Sequence, residues 1–139
     1  MWKISIIIGK DDIKEMSKIT KRLPEAELEI MQIVWEADDN KEIITSNYIY
    51  ERFSKLRGWA LPTLMTVLTR LVKKGYLSCE KRGRSNFYGV VITRDEYIQY
   101  EANSVYTRVF CSNMDLLNES LIKSKSVTKD EIIAAAKSL

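Results

Sequence analysis

Pro62-Thr63-Leu64-Met65-Thr66-Val67-Leu68-Thr69-Arg70-Leu71-Val72-Lys73-Lys74-Gly75 is the stretch whose reading decides the fold. Leu64, Leu68, Leu71 and Val72 fall on one side of a helix from about Pro62 to Lys74. Thr63, Thr66, Arg70 and Lys73 recur at i, i+3, i+7 and i+10 and form a second, polar stripe, with Thr69 near its edge. Proline suits the first turn, and Gly75 suits the position just past the end. Two runs rich in aromatic and β-branched residues follow, Tyr76 to Lys81 and Asn86 to Ile92. The turn-former Arg82-Gly83-Arg84-Ser85 separates them, which predicts a β-hairpin with Lys81, Arg82 and Arg84 at its tip.

Two further helices precede this unit. Pro24 to Ala37 carries Glu25 and Glu27 near its positive end, and Leu28, Met31 and Trp35 make an apolar stripe with Ile30 and Val34 beside it. Asp38, Asp39 and Asn40 stop it. Glu42 to Ile44 reads as a short extended stretch. Thr45 then caps a helix over Ser46 to Leu56, with Ile49 and Phe53 inward and Gly58 at its end. Trp35 and Trp59 read as core residues.

The C-terminal third returns to helix. Thr93-Arg94-Asp95-Glu96 and Thr128-Lys129-Asp130-Glu131 both match the capping box. Ile98, Ala102, Val105 and Val109 line one helix, which breaks near Ser112 and Asn113. Met114, Leu117 and Leu121 line the next, and Ile132 and Ile133 the last. Helices this short need a partner surface, and Ile98, Val105, Val109, Leu117, Leu121, Ile132 and Ile133 are the candidate dimerisation residues. The domain organisation expected is a weakly structured extension at 1–22, a helix-and-hairpin domain at 23–92 and a helical dimerisation region at 93–139. Met16 offers an alternative start, which makes residues 1–15 dispensable.

The net charge of +3 hides an uneven distribution. Residues 1–53 hold 8 basic and 11 acidic side chains, residues 54–94 hold 9 basic and 1 acidic, and residues 95–139 hold 5 basic and 7 acidic. The basic middle contains the polar helix stripe and the hairpin tip, a placement that points to a polyanion partner. The chain has no histidine, no metal-ligand cluster and no phosphate-cradling glycine loop. An enzyme, a metal site and a bound cofactor are therefore not expected. Cys79 and Cys111 read as free thiols of a cytoplasmic protein. No apolar run approaches the length of a membrane span.

Helix, short strand, helix, helix and basic hairpin is the order of a winged helix-turn-helix: a mainly α fold with a small β-hairpin, here with a helical tail. The third helix enters the major groove and the hairpin lies along the neighbouring backbone. Thr63, Thr66 and Arg70 are the candidates for reading sequence. Lys73, Lys74, Lys81, Arg82 and Arg84 are candidates for holding phosphate, and Thr69 completes the set. The alternative is a winged-helix module for protein contacts, which calls for apolar or acidic residues on this face. Met65 leans that way, while Thr63, Thr66, Arg70 and Lys73 do not.

Residues 23–35, LPEAELEIMQIVW, and 59–75, WALPTLMTVLTRLVKKG, resemble the first and recognition helices of the penicillinase repressor family of bacterial regulators. Glu80-Lys81-Arg82-Gly83-Arg84 to Phe87-Tyr88 resembles its wing. The resemblance implies a homodimeric repressor on a palindromic double-stranded DNA operator, governing resistance or stress genes. It places Thr63, Thr66 and Arg70 toward DNA. It also implies a membrane sensor protease as an indirect partner. The chain departs from the family pattern at Pro62 and Met65, where basic residues are common. Its tail bonds Asn113–Met114 and Asn118–Glu119 do not match the Asn-Phe bond cut in some members. With Cys111 alone, it lacks the Cys-x-Cys metal pair of others.

Overall fold

The computed structural model describes residue 19 and residues 21–139. The expectations for Met16 and for most of the 1–22 extension lie outside these residues. Two compact units divide after Tyr97.

The first unit contains α1 (Glu25–Asp39), α2 (Ser46–Arg57), α3 (Leu61–Lys73), β1 (Leu77–Arg82) and β2 (Ser85–Val90), and ends in the first turn of α4 (Arg94–Arg108). Its core follows from helix periodicity. Ile30, Met31, Val34 and Trp35 of α1 are buried with Ile49 and Phe53 of α2 and with Leu64, Val67, Leu68 and Leu71 of α3. Leu28 and Val72, expected on the inward stripes, are only half-buried. In α1 the inward line starts one residue earlier, at Glu27. Trp59 is likewise half-buried and stacks edge-on against Phe53, with centroids 5.0 Å apart.

Aromatic residues close the core where the chain leaves the hairpin. The Trp35 indole N–H donates to the Ile92 carbonyl at 2.9 Å. The Tyr97 ring stands 5.7 Å from Trp35 and 6.0 Å from Tyr76, and its hydroxyl accepts from the Leu23 N–H at 2.7 Å. Buried aromatics need such partners for their polar ends. These contacts tie the start of α4 to the segment before α1, which is why the first unit reaches Tyr97.

Three local devices aim the hairpin. Past the end of α3, the Gly75 N–H bonds the Val72 carbonyl and the Tyr76 N–H bonds the Leu71 carbonyl, both at 3.0 Å. This is a Schellman end, with Gly75 at φ 82°. β1 and β2 pair antiparallel from Leu77↔Val90 to Arg82↔Ser85, so only Gly83 and Arg84 remain in the turn. Gly83 has φ 62° and Arg84 does not share a positive φ, the pattern of a type II′ turn. The expected extended stretch after α1 joins this sheet by its end: Tyr88 N–H donates to Ile44 O at 2.8 Å, and Thr45 bridges Phe87.

The second unit holds the rest of α4, α5 (Met114–Lys123) and α6 (Lys129–Ser138). Both expected capping boxes form, at Thr93–Glu96 and Thr128–Glu131. Asn113 caps α5 through Leu116 N–H. No residue of this unit is buried, and Ile98, Val109, Met114 and Ile133 are exposed.

Tyr97→Phe leaves the buried Leu23 N–H without its acceptor, so chemical unfolding is expected to show a loss of about 1–3 kcal/mol. A change under a few tenths of a kcal/mol would contradict a role for this bond. Gly83→Ala meets no atom within 4 Å. Its penalty is therefore conformational, about 1 kcal/mol, and hydrogen exchange should quicken in β1 and β2 while α1–α3 stay protected.

Candidate nucleic-acid interface

α3 has two faces, and the buried one fixes the other. Leu64, Val67, Leu68 and Leu71 point into the core. Diametrically opposite, at i, i+4, i+7 and i+11, stand Pro62, Thr66, Thr69 and Lys73, all exposed. Thr69 therefore sits on the outermost line of the helix and not at its margin. Thr63 and Arg70 lie on one flank and Met65 on the other. The centre of the presented face is short and polar, which lets a helix approach closely inside a groove.

The threonine hydroxyls are oriented by the helix itself. Thr66 Oγ1 donates to the Pro62 carbonyl at 3.1 Å, and Thr69 Oγ1 donates to the Met65 carbonyl at 2.9 Å. Each spends its proton on the backbone one turn back and keeps its lone pairs outward. In this arrangement both hydroxyls are acceptors, suited to an amino group on a base edge. They are poor donors to a phosphate.

The cations fall into distinct environments. Lys73, Lys81 and Arg84 are exposed and have no carboxylate partner among the described residues. Arg82 lies over the Phe87 ring, 4.9 Å from its centroid, and pairs with Glu80 at 3.0 Å. That contact holds the Glu80 carboxyl below its ordinary range, through the hydrogen bond first and the charge second. Glu80, the single acid of the basic middle, is thereby partly cancelled.

Arg70 and Lys74 are placed otherwise than the sequence suggests. Both reach back to α1, where Glu27 accepts from Lys74 Nζ at 2.6 Å and from Arg70 Nη1 at 3.4 Å. Glu27 is 2% exposed, while the Arg70 and Lys74 side chains are 54% and 39% exposed. Glu27 is the residue of this region that the sequence reading passed over as a helix-dipole acid. A signal was present: at i, i+3, i+4 and i+7 with Ile30, Met31 and Val34, it stands in line with the apolar stripe. A carboxylate there is buried and has to find cations.

On the far side of the hairpin, Tyr88 is packed inward and its phenol is pushed up by burial. Leu77 is buried beside it in the pairing pattern, so one hairpin face is fixed to the core and the tip is carried outward. Lys81 pairs with Asn86 and Arg82 with Ser85, next to the turn residue Arg84. All three cations therefore stand at the free end. Cys79 and Cys111 are free thiols.

The family described as penicillinase repressor matches residues 23–139, a span that takes in every described helix and strand. The penicillinase repressor of Bacillus licheniformis is 29% identical over 117 residues, covering 84% of this chain and 88% of the relative. The methicillin resistance regulatory protein MecI of Staphylococcus aureus strain N315 is 27% identical over 119 residues, covering 84% and 92%. Among solved structures, the DNA-binding domain of the repressor BlaI is 34% identical, with a TM-score of 0.48, over 55% of this chain and 88% of that one. The chain belongs to the penicillinase repressor family.

Proposed function

We propose that this protein is a dimeric, sequence-specific DNA-binding repressor that docks α3 in the major groove of a palindromic operator and lays its hairpin tip on the flanking backbone. The observation that carries this reading is the exposed line Pro62, Thr66, Thr69 and Lys73, set beside a hairpin end bearing Lys81, Arg82 and Arg84. A groove-sized helix with a polar face and a cationic hairpin meet the two needs of a duplex reader, base-edge contact and phosphate contact. Family membership supports it, since relatives carry the names of penicillinase and methicillin-resistance repressors.

Within this reading the residues divide. Thr63, Thr66 and Thr69 face base edges; Lys73, Lys81, Arg82 and Arg84 hold phosphates. Arg70 and Lys74 work from the α1 flank, anchored by Glu27. The second unit supplies the dimer contact. No side chain of this unit is fully buried on its own, and Ile98, Val105, Val109, Leu117, Leu121, Ile132 and Ile133 give it an apolar surface to share with a second copy. A cytoplasmic location fits such a role, and no described helix is long and apolar enough to cross a membrane. A sensor protease is at most an indirect partner, because the tail bonds do not match the cleaved Asn-Phe bond and Asn113, at one of them, is engaged as the N-cap of α5.

Selection of binding sites from random duplex DNA tests the proposal. The expected product is an inverted repeat whose half-sites lie about one helical turn, or a multiple of it, apart. Recovery of sequences with no shared motif would defeat it. Thr66→Val removes an outward acceptor and is expected to weaken the selected site about fivefold to tenfold, with little effect on a scrambled duplex. Arg84→Ala is expected to weaken both duplexes and to flatten the plot of log affinity against log salt by about 0.9. The full chain should sediment as a dimer; a monomer at micromolar concentration would remove the palindrome from the account.

A further inference from the structure

Glu27 is the one charged side chain buried among the described residues. A buried carboxylate persists only where cations and hydrogen bonds replace water. Here two cations from the end of one helix, α3, share one acid from the start of another, α1. The two contacts are unequal. Lys74 is held at 2.6 Å, a strong charge-assisted bond, and Arg70 at 3.4 Å, a weak one. Both remain partly open to solvent, so neither is consumed by the pairing. Arg70 keeps most of its five N–H donors and Lys74 keeps two of three.

Three other cations of the interface differ in this respect. Lys73, Lys81 and Arg84 have no acid to hold them among the described residues, and they can swing toward any phosphate within reach. Long free cations attract every duplex alike. A cation held at a fixed point, with part of its charge already cancelled, attracts a remote duplex weakly. It contributes only when a phosphate is brought to that point.

We propose that Glu27 is a positioning residue of the DNA interface: it fixes Lys74, and more loosely holds Arg70, at the α1 flank of α3 and withholds part of their charge from non-specific binding. The inference rests on the DNA-binding reading above and deepens it. Glu27 also braces α1 against α3, and a brace alone predicts lost stability and, with it, an equal loss of affinity for every duplex at unchanged salt dependence. The positioning role predicts a change in how binding depends on salt and on sequence.

The test uses the full chain and two duplexes of equal length, the sequence recovered by selection and its scramble, titrated across a salt series. Glu27→Gln keeps the shape and removes the charge. The scramble should then be bound several-fold more tightly. Its plot of log affinity against log salt should steepen by about one, the yield of one added phosphate contact. Preference for the selected site should fall. Both affinities falling together with unchanged slopes would overturn the proposal and leave a brace. Lys74→Gln carries the test if Glu27→Gln does not fold, because Lys74 is partly exposed. It should flatten the slope by less than Arg84→Gln does, since its charge is already shared; an equal or larger loss would overturn the proposal. A wild-type protein that does not distinguish the two duplexes would defeat the DNA-reading function itself. A wild type that distinguishes them, with a Glu27→Gln variant of unchanged slope, would defeat the positioning role alone.

Discussion

The burial of Leu64, Val67, Leu68 and Leu71 is the constraint from which the rest of the first unit follows. Four aliphatic side chains on one side of α3 remove apolar surface from water, worth about 1.5–3 kcal/mol each when fully covered. They set the helix's rotation about its axis. Once that rotation is fixed, Pro62, Thr66, Thr69 and Lys73 have to face outward. The outward face of α3 is therefore a consequence of the core. A change that rotates α3 by one residue, about 100°, would bury a threonine and expose a leucine.

The ends of α3 extend this control to its neighbours. The Schellman turn at Gly75 delivers the chain into β1 at a set angle, and Leu77 and Tyr88 fasten the hairpin to the core. The type II′ turn then keeps Lys81, Arg82 and Arg84 together at the tip. On the other side, Glu27 ties the last turn of α3 to the first turn of α1. α3 is held by the hairpin, which carries Lys81, Arg82 and Arg84, and by α1, whose Glu27 pairs with Arg70 and Lys74, so geometry and electrostatics are set by the same contacts.

Much of this was legible in the sequence because it is local. The α3 periodicity, the two capping boxes, the glycine after α3 and the hairpin pattern all depend on residues within a few positions of each other. What was not legible joins distant segments. On a helical wheel Arg70 looks like a free reader of sequence and Lys74 like a free phosphate ligand. Their partner lies 43 and 47 residues away on another helix. Leu28 looked like the start of the α1 stripe, while the paired Glu27 takes the inward place. Thr69 looks marginal on a wheel centred on Thr63 and Arg70, because both of those residues lie toward one flank. The pairing of Ile44 and Thr45 with β2 needs the hairpin to be in place first, and a three-residue stretch gives no sign of it.

The central claim is that one surface, the outward line of α3 with the hairpin tip, meets DNA. Backbone amide shifts recorded while the full chain is titrated with its selected duplex test this most directly. The account predicts the largest changes at Thr63–Lys73 and at Lys81–Arg84, with α5 and α6 unmoved once the dimer is formed. Changes concentrated instead on the outer face of α1 and α2, around Glu36, Tyr48 and Arg52, would contradict it.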